Sequence, residues 1–171
     1  MKKALLIVAQ NGFQPIEYKE TREELEKAGI SVTVASFEAA EAIASDGSKI
    51  QVDVGFKDVN VDEFDAIVLI GGPGASTELR GNPDVMNLVK EADNSEKIIG
   101  AICFSPVILA EARILDDRRA TVWSSEEDKS TIETLVAEGA IYSDEDVVVD
   151  GRVVTANGPH AAREFGKRLA N

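Results

Sequence analysis

Apolar residues fall into short runs along this chain. Residues 4–9, 31–36, 66–70, 98–103 and 147–149 are each rich in aliphatic or β-branched side chains. The first four are nearly unbroken, the character of strands covered on both faces; a half-exposed strand would alternate with polar residues. Between several of them the pattern turns helical. Residues 16–28 (IEYKETREELEKA) put Ile16, Glu20, Glu23 and Lys27 on one side and meet Gly29 as a stop signal. Residues 82–92 and 127–137 read as two more helices, and VILAEARIL continues as a helix after Pro106.

Alternating strands and helices predict the α/β class: a doubly wound, mostly parallel, flavodoxin-like sheet with helices on both faces. VVVDGRVV, residues 147–154, adds a C-terminal hairpin, because Asp150-Gly151 between valine-rich halves is a tight-turn signal. At 171 residues the chain suffices for one well-filled core and is too short for two ordinary domains, so a single domain over residues 1–171 is expected.

Charge narrows the partners. Eighteen Lys and Arg against thirty-one Asp and Glu give a net charge of -13, which repels a phosphate backbone and argues against nucleic acid. No apolar run nears the roughly 20 residues that span a bilayer, so no membrane partner is expected. The opening MKKALLIVA reads as a first strand; it lacks a signal-peptide cleavage pattern. With one cysteine there is no internal disulfide, and no Cys/His cluster forms a metal site. A cytoplasmic location and no cofactor are expected.

In open α/β sheets ligands bind beyond the carboxyl ends of the strands. The segments there are 10–17 (QNGFQPIE), 71–76 (GGPGAS), 103–106 (CFSP) and 156–160 (ANGPH). Cys103, ending a strand before Ser105-Pro106, fits a nucleophile elbow backed by helix amides that favour thiolate. It fits a buried packing thiol as well. Gly71-Gly72-Pro73-Gly74 offers unobstructed N–H groups for an oxyanion, or a plain tight turn, and it matches neither a P-loop nor a dinucleotide loop. Glu17, early in a helix, reads as a general acid or base, or as a carboxylate favoured by the helix dipole.

Taken together, QNGFQPIE with Glu17, EFDAIVLIGGPGA, GAICFSP with Cys103, VVVDGRVVTANGP and the closing EFGKRL resemble, end to end, the ThiJ/PfpI superfamily. That superfamily has a glutamine amidotransferase-like fold and includes PfpI-type intracellular proteases and the parkinsonism-associated deglycase. The resemblance implies a reactive Cys103 with Glu17 exchanging a proton with its sulfur, an oxyanion hole from the amides of Gly72 and Phe104, and a homodimer or higher homo-oligomer. Gly71, Trp123, Pro159 and His160 are expected around the pocket.

The chain also departs from its relatives. PfpI-type proteases carry histidine directly after the cysteine, where Phe104 stands here; the deglycase branch has one at the position of Trp123. His160 is the only histidine, in the turn after the last strand. Expelling an amine from an acyl intermediate calls for a proton donor, normally histidine, so peptide hydrolysis is disfavoured. Thiolate addition to an aldehyde expels no amine. The expectation is glyoxalase- or deglycase-type chemistry on a small reactive carbonyl. The alternatives are a non-enzymatic cysteine redox sensor and a PfpI-like peptidase acting on a peptide-like substrate. Phe104 and Trp123 should make the pocket apolar, which opposes the dipole's pull on the thiol. Arg118, Arg119 and Arg163 read as solvated surface charges.

Overall fold

The computed structural model describes residues 2–171. Its first half runs β1 (Lys3–Ile7), β2 (Asn11–Phe13), α1 (Pro15–Lys27), β3 (Ser31–Ser36), β4 (Glu41–Ala44), β5 (Lys49–Gln51), β6 (Val54–Gly55), β7 (Ala66–Leu69), a π-helical turn (Ala75–Leu79) and α2 (Pro83–Asn94). The second runs β8 (Ile98–Ile102), α3 (Pro106–Glu111), β9 (Arg119–Ala120), α4 (Ser130–Ala137), β10 (Ile141–Tyr142), β11 (Val147–Asp150), β12 (Val153–Ala156) and α5 (Ala162–Ala170).

The main sheet has the order β11-β12-β8-β7-β1-β3-β6, parallel throughout except for the β11–β12 hairpin at one edge. The mixed α/β architecture with a mostly parallel sheet is therefore the one the apolar runs predict. Alternation along β1 divides the core. Leu5 and Ile7 pack with Ile67, Leu69 and Ile99 beneath α2 and α3. Ala4 and Leu6 pack with Val68 and Ile102 beneath Leu25 of α1 and Phe165 and Leu169 of α5. Both faces are covered, which is why these strands read as unbroken apolar runs. No helix among the described residues is long and apolar enough to cross a membrane.

Several boundaries differ from expectation. Strand β8 stops at Ile102, because Cys103 turns into the left-handed region with φ 65°. The helix after Pro106 ends at Glu111: Ile114 N–H bonds back to Leu109 O while Arg113 takes φ 67° at a position glycine usually fills, so no stop signal shows in the sequence. Helix α4 begins at Ser130, its expected first turn replaced by the Asp128 carboxylate accepting from Ser130 N–H and Oγ at 3.0 and 2.6 Å. On α1 the buried face is Glu17, Thr21, Glu24 and Leu25, whereas Ile16 is 49% exposed. Two small sheets, β2-β4-β5 and β9-β10, have strands too short to announce themselves by pattern.

Candidate active site

Strands β12, β8, β7 and β1 are consecutive neighbours in the sheet, so the segments leaving their carboxyl ends meet. After β8, Cys103 is clamped in its left-handed conformation, one that costs a non-glycine residue on the order of 1–2 kcal/mol. Its N–H donates to Ala156 O at 2.9 Å and its carbonyl accepts from Trp123 N–H at 2.8 Å. Buried Ser105 anchors the next position, its Oγ donating to Ile70 O at 3.0 Å. These bonds from the residue after β7, from β12 and from the Trp123 segment hold the elbow.

Helix α1 brings Glu17 to the same point. The side chain is fully buried, with Oε1 accepting from Gly71 N–H at 2.9 Å and Oε2 buried without a hydrogen-bond partner. The Cys103 thiol lies beside this carboxyl, close enough for each to act on the other's ionisation. Gly71 makes the approach possible, because a Cβ there would lie 2.5 Å from Cys103 Cβ and 2.7 Å from Glu17 Oε1. Glycine is thus required at 71 by space and at 72 by backbone, where φ is 110°.

Two opposing influences act on the thiol. The backbone amides of Gly72 and Phe104 donate toward the sulfur and favour thiolate. Burial, and then the charge of Glu17, outweigh them and push the thiol up to about 12. Helix α3 is only six residues long, and the thiolate bias expected from its dipole is overruled by desolvation. Burial also pushes the Glu17 carboxyl up to about 7, against the Gly71 N–H and the thiol, which pull it down. The carboxyl therefore titrates near neutrality. While it is protonated it places no charge against the sulfur and can itself donate there.

The thiol opens into a cavity of about 360 Å³ lined by Gln14, Ser45, Gly72, Pro73, Ser76, Phe104, Trp123 and Pro159. Phe104 lies beneath the Arg80 guanidinium, 5.7 Å from its ring centroid, and Arg80 is paired with Glu111. Gly71 sits behind the cavity, between Glu17 and Cys103. His160 is not on this wall. It lines a second cavity of about 300 Å³ that shares Trp123 and Pro159 with the first, and its exposed ring meets Asp146 at 3.2 Å. Arg163 bridges α5 to Glu20, Glu23 and Glu24 of α1; Arg119 pairs with Glu145 and Arg118 Nη1 donates to Asp150 O at 3.3 Å, all away from the thiol cavity. Among the described residues no His/Cys/Asp/Glu group has the makings of a metal centre.

Gln14, Ser45 and Ser76 were not singled out by sequence. Ser45 reaches the cavity because β2 pairs with β4, leaving Ser45 N–H on Phe13 O at 2.9 Å, a pairing that no local pattern encodes. For Gln14 a signal existed: the Pro15 that follows marks a helix start and hence a capping side chain before it.

The family model described as DJ-1/PfpI matches residues 2–171. An uncharacterised protein of Methanocaldococcus jannaschii is 43% identical over 96% of this chain and 78% of its own length. A protein named glutathione-independent glyoxalase in Caenorhabditis elegans is 33% identical over 98% and 87% of the two chains, and one named deglycase PfpI in Pyrococcus furiosus is 32% identical over 96% and 98%. The crystal structure of a ThiJ/PfpI domain protein from Brachyspira murdochii superposes with a TM-score of 0.91 at 32% identity, covering 98% of this chain and 94% of that one.

Proposed function

This chain belongs to the DJ-1/PfpI family, and we propose that it performs glyoxalase- or deglycase-type chemistry on small reactive aldehydes through Cys103 and Glu17. One observation carries the proposal: a fully buried carboxyl, titrating near 7, set beside the only thiol in the chain at the floor of an apolar cavity. Relatives named as glyoxalase and deglycase support the reaction class.

The chemistry needs no leaving amine. The sulfur adds to the aldehyde carbon, a C–S bond forms, and the carbonyl π pair moves to oxygen, which takes the proton released by the thiol to give a hemithioacetal. With a 2-oxoaldehyde, a base removes the hydrogen on the former aldehyde carbon as a proton while the neighbouring carbonyl oxygen gains one, giving an enediol. The adjacent carbon then takes a proton as the hydroxyl on the sulfur-bearing carbon gives one up. This internal redox step leaves a thioester, and water then releases a 2-hydroxy acid and restores the thiol. Glu17 suits both transfers, because a group with a pKa near the working pH gives and takes protons with similar ease. The absence of histidine from the thiol cavity wall disfavours peptide cleavage and leaves this sequence unimpaired.

The test is methylglyoxal consumption with chromatographic detection of lactate, in wild type, Cys103→Ser and Glu17→Gln. Cys103→Ser should fall to the rate without protein, and Glu17→Gln should lose about 10²-fold or more. Consumption that survives in Cys103→Ser, or a wild type that forms no lactate, would refute the reading.

A further inference from the structure

Gln14 makes four hydrogen bonds in the junction between β2 and α1, one of them its carbonyl accepting from Tyr18 N–H at 3.1 Å. Its backbone N–H donates to Gly71 O at 2.9 Å, and its side-chain Oε1 accepts from the N–H groups of Ile16 at 2.6 Å and Glu17 at 3.1 Å. Two backbone donors aimed at one side-chain atom require an oxygen there, so the orientation of the amide follows from the helix itself. The other end of the amide, Nε2, is left over. Among the described residues it donates to no group, it is not a buried orphan, and the residue lines the thiol cavity.

The other polar groups of that cavity are committed or loose. Ser76 Oγ donates to Pro73 O at 2.8 Å, the amides of Gly72 and Phe104 face the sulfur, and Ser45 is exposed. The remaining side-chain walls are Pro73, Phe104, Pro159 and the exposed Trp123, of which only Trp123 carries a donor, its indole N–H, on a ring that no hydrogen bond holds among the described residues. Among the described residues of this wall, Gln14 Nε2 is therefore the unspent side-chain donor whose own group is held by hydrogen bonds. We propose that Gln14 is a substrate-binding residue whose Nε2 donates to the second oxygen of a 2-oxo aldehyde held on Cys103. This rests on the reactive-aldehyde reading given above. It adds a means of discrimination: a simple aldehyde has no second oxygen to offer, and a buried carbonyl oxygen without a donor is penalised.

Two substitutions separate this role from plain helix capping. Gln14→Glu keeps an oxygen for the Ile16 and Glu17 N–H groups and abolishes the donor; Gln14→Met removes both and adds no charge. The readout is the concentration of methylglyoxal, and separately of propanal, that halves the rate at which iodoacetamide alkylates Cys103. In both variants the methylglyoxal concentration should rise about tenfold relative to wild type, while that for propanal changes by less than about twofold. Parallel shifts for the two carbonyls, or none, would reduce Gln14 to a cap and overturn the proposal. So would failure of methylglyoxal to protect the wild type at all. If Gln14→Met does not fold, Gln14→Glu alone decides. Because protection needs adduct formation and no turnover, a wild type that binds methylglyoxal selectively without forming lactate would sink the proposed reaction and leave the Gln14 assignment standing.

Discussion

Glu17 is the residue at which stability and chemistry are most directly coupled. Unfolded, its carboxyl loses a proton near the ordinary value of 4.5; folded, it holds that proton up to about 7 because burial disfavours the charge. Between those pH values the native state binds more protons, so each step upward costs stability. The interval corresponds to roughly 3 kcal/mol, fully present below pH 4.5 and lost by the time pH has risen through 7. Glu17→Gln removes the titration. Urea unfolding should therefore find the variant gaining on wild type as pH rises from 4.5 to 8, by up to roughly 3 kcal/mol. Its thiol should also ionise at lower pH than in wild type, because no carboxylate then opposes it. A variant whose stability runs parallel to wild type over that range would show that the carboxyl is not held protonated by the fold.

At the scale of elements, the placement of Glu17 depends on how closely α1 and α5 approach. The contact runs through Gly166, where a Cβ would lie 2.8 Å from Glu24 Cβ and 3.2 Å from both Thr21 Cα and Thr21 O. Two of those three atoms are backbone, so the helices themselves must separate to admit a methyl group. Gly166→Ala gains about 1 kcal/mol in helix propensity, yet overpacking typically costs about 1–3 kcal/mol, and the backbone contact places it at the unfavourable end. Denaturation should find the variant less stable, with slower methylglyoxal turnover because Thr21 lies one turn beyond Glu17. An equally or more stable variant would mean that the helices part freely. The buried strands were legible because two covered faces demand continuous apolar residues, and α1 because its helical pattern runs up to Gly29. The short strands β2, β4 and β5 were not, since runs of three or four residues are assigned by their partners. The meeting of Glu17, Gly71 and Cys103 was legible as a resemblance spread over three segments. How deeply the carboxyl is buried was not, because the burial comes from packing around α1 that no single segment reveals.

Over the whole molecule, the net charge of -13 sets a field that any reagent must cross to reach Cys103. Near the cavity it is barely relieved: Arg80 lies over Phe104, but its charge is matched by Glu111. Iodoacetate and iodoacetamide differ mainly in charge, so their relative rates at Cys103, normalised to a small neutral thiol, report the local potential. At about 10 mM salt, where the Debye length is about 30 Å, most of the acidic surface contributes, and iodoacetamide should be favoured about tenfold. At about 1 M salt, with screening over about 3 Å, the ratio should fall to within about twofold of the free thiol. A ratio that ignores salt would place the discrimination in the cavity wall. One that favours iodoacetate would mean that Arg80, despite Glu111, governs the mouth, and the substrate class would then shift from neutral aldehydes toward carbonyl compounds bearing a carboxylate.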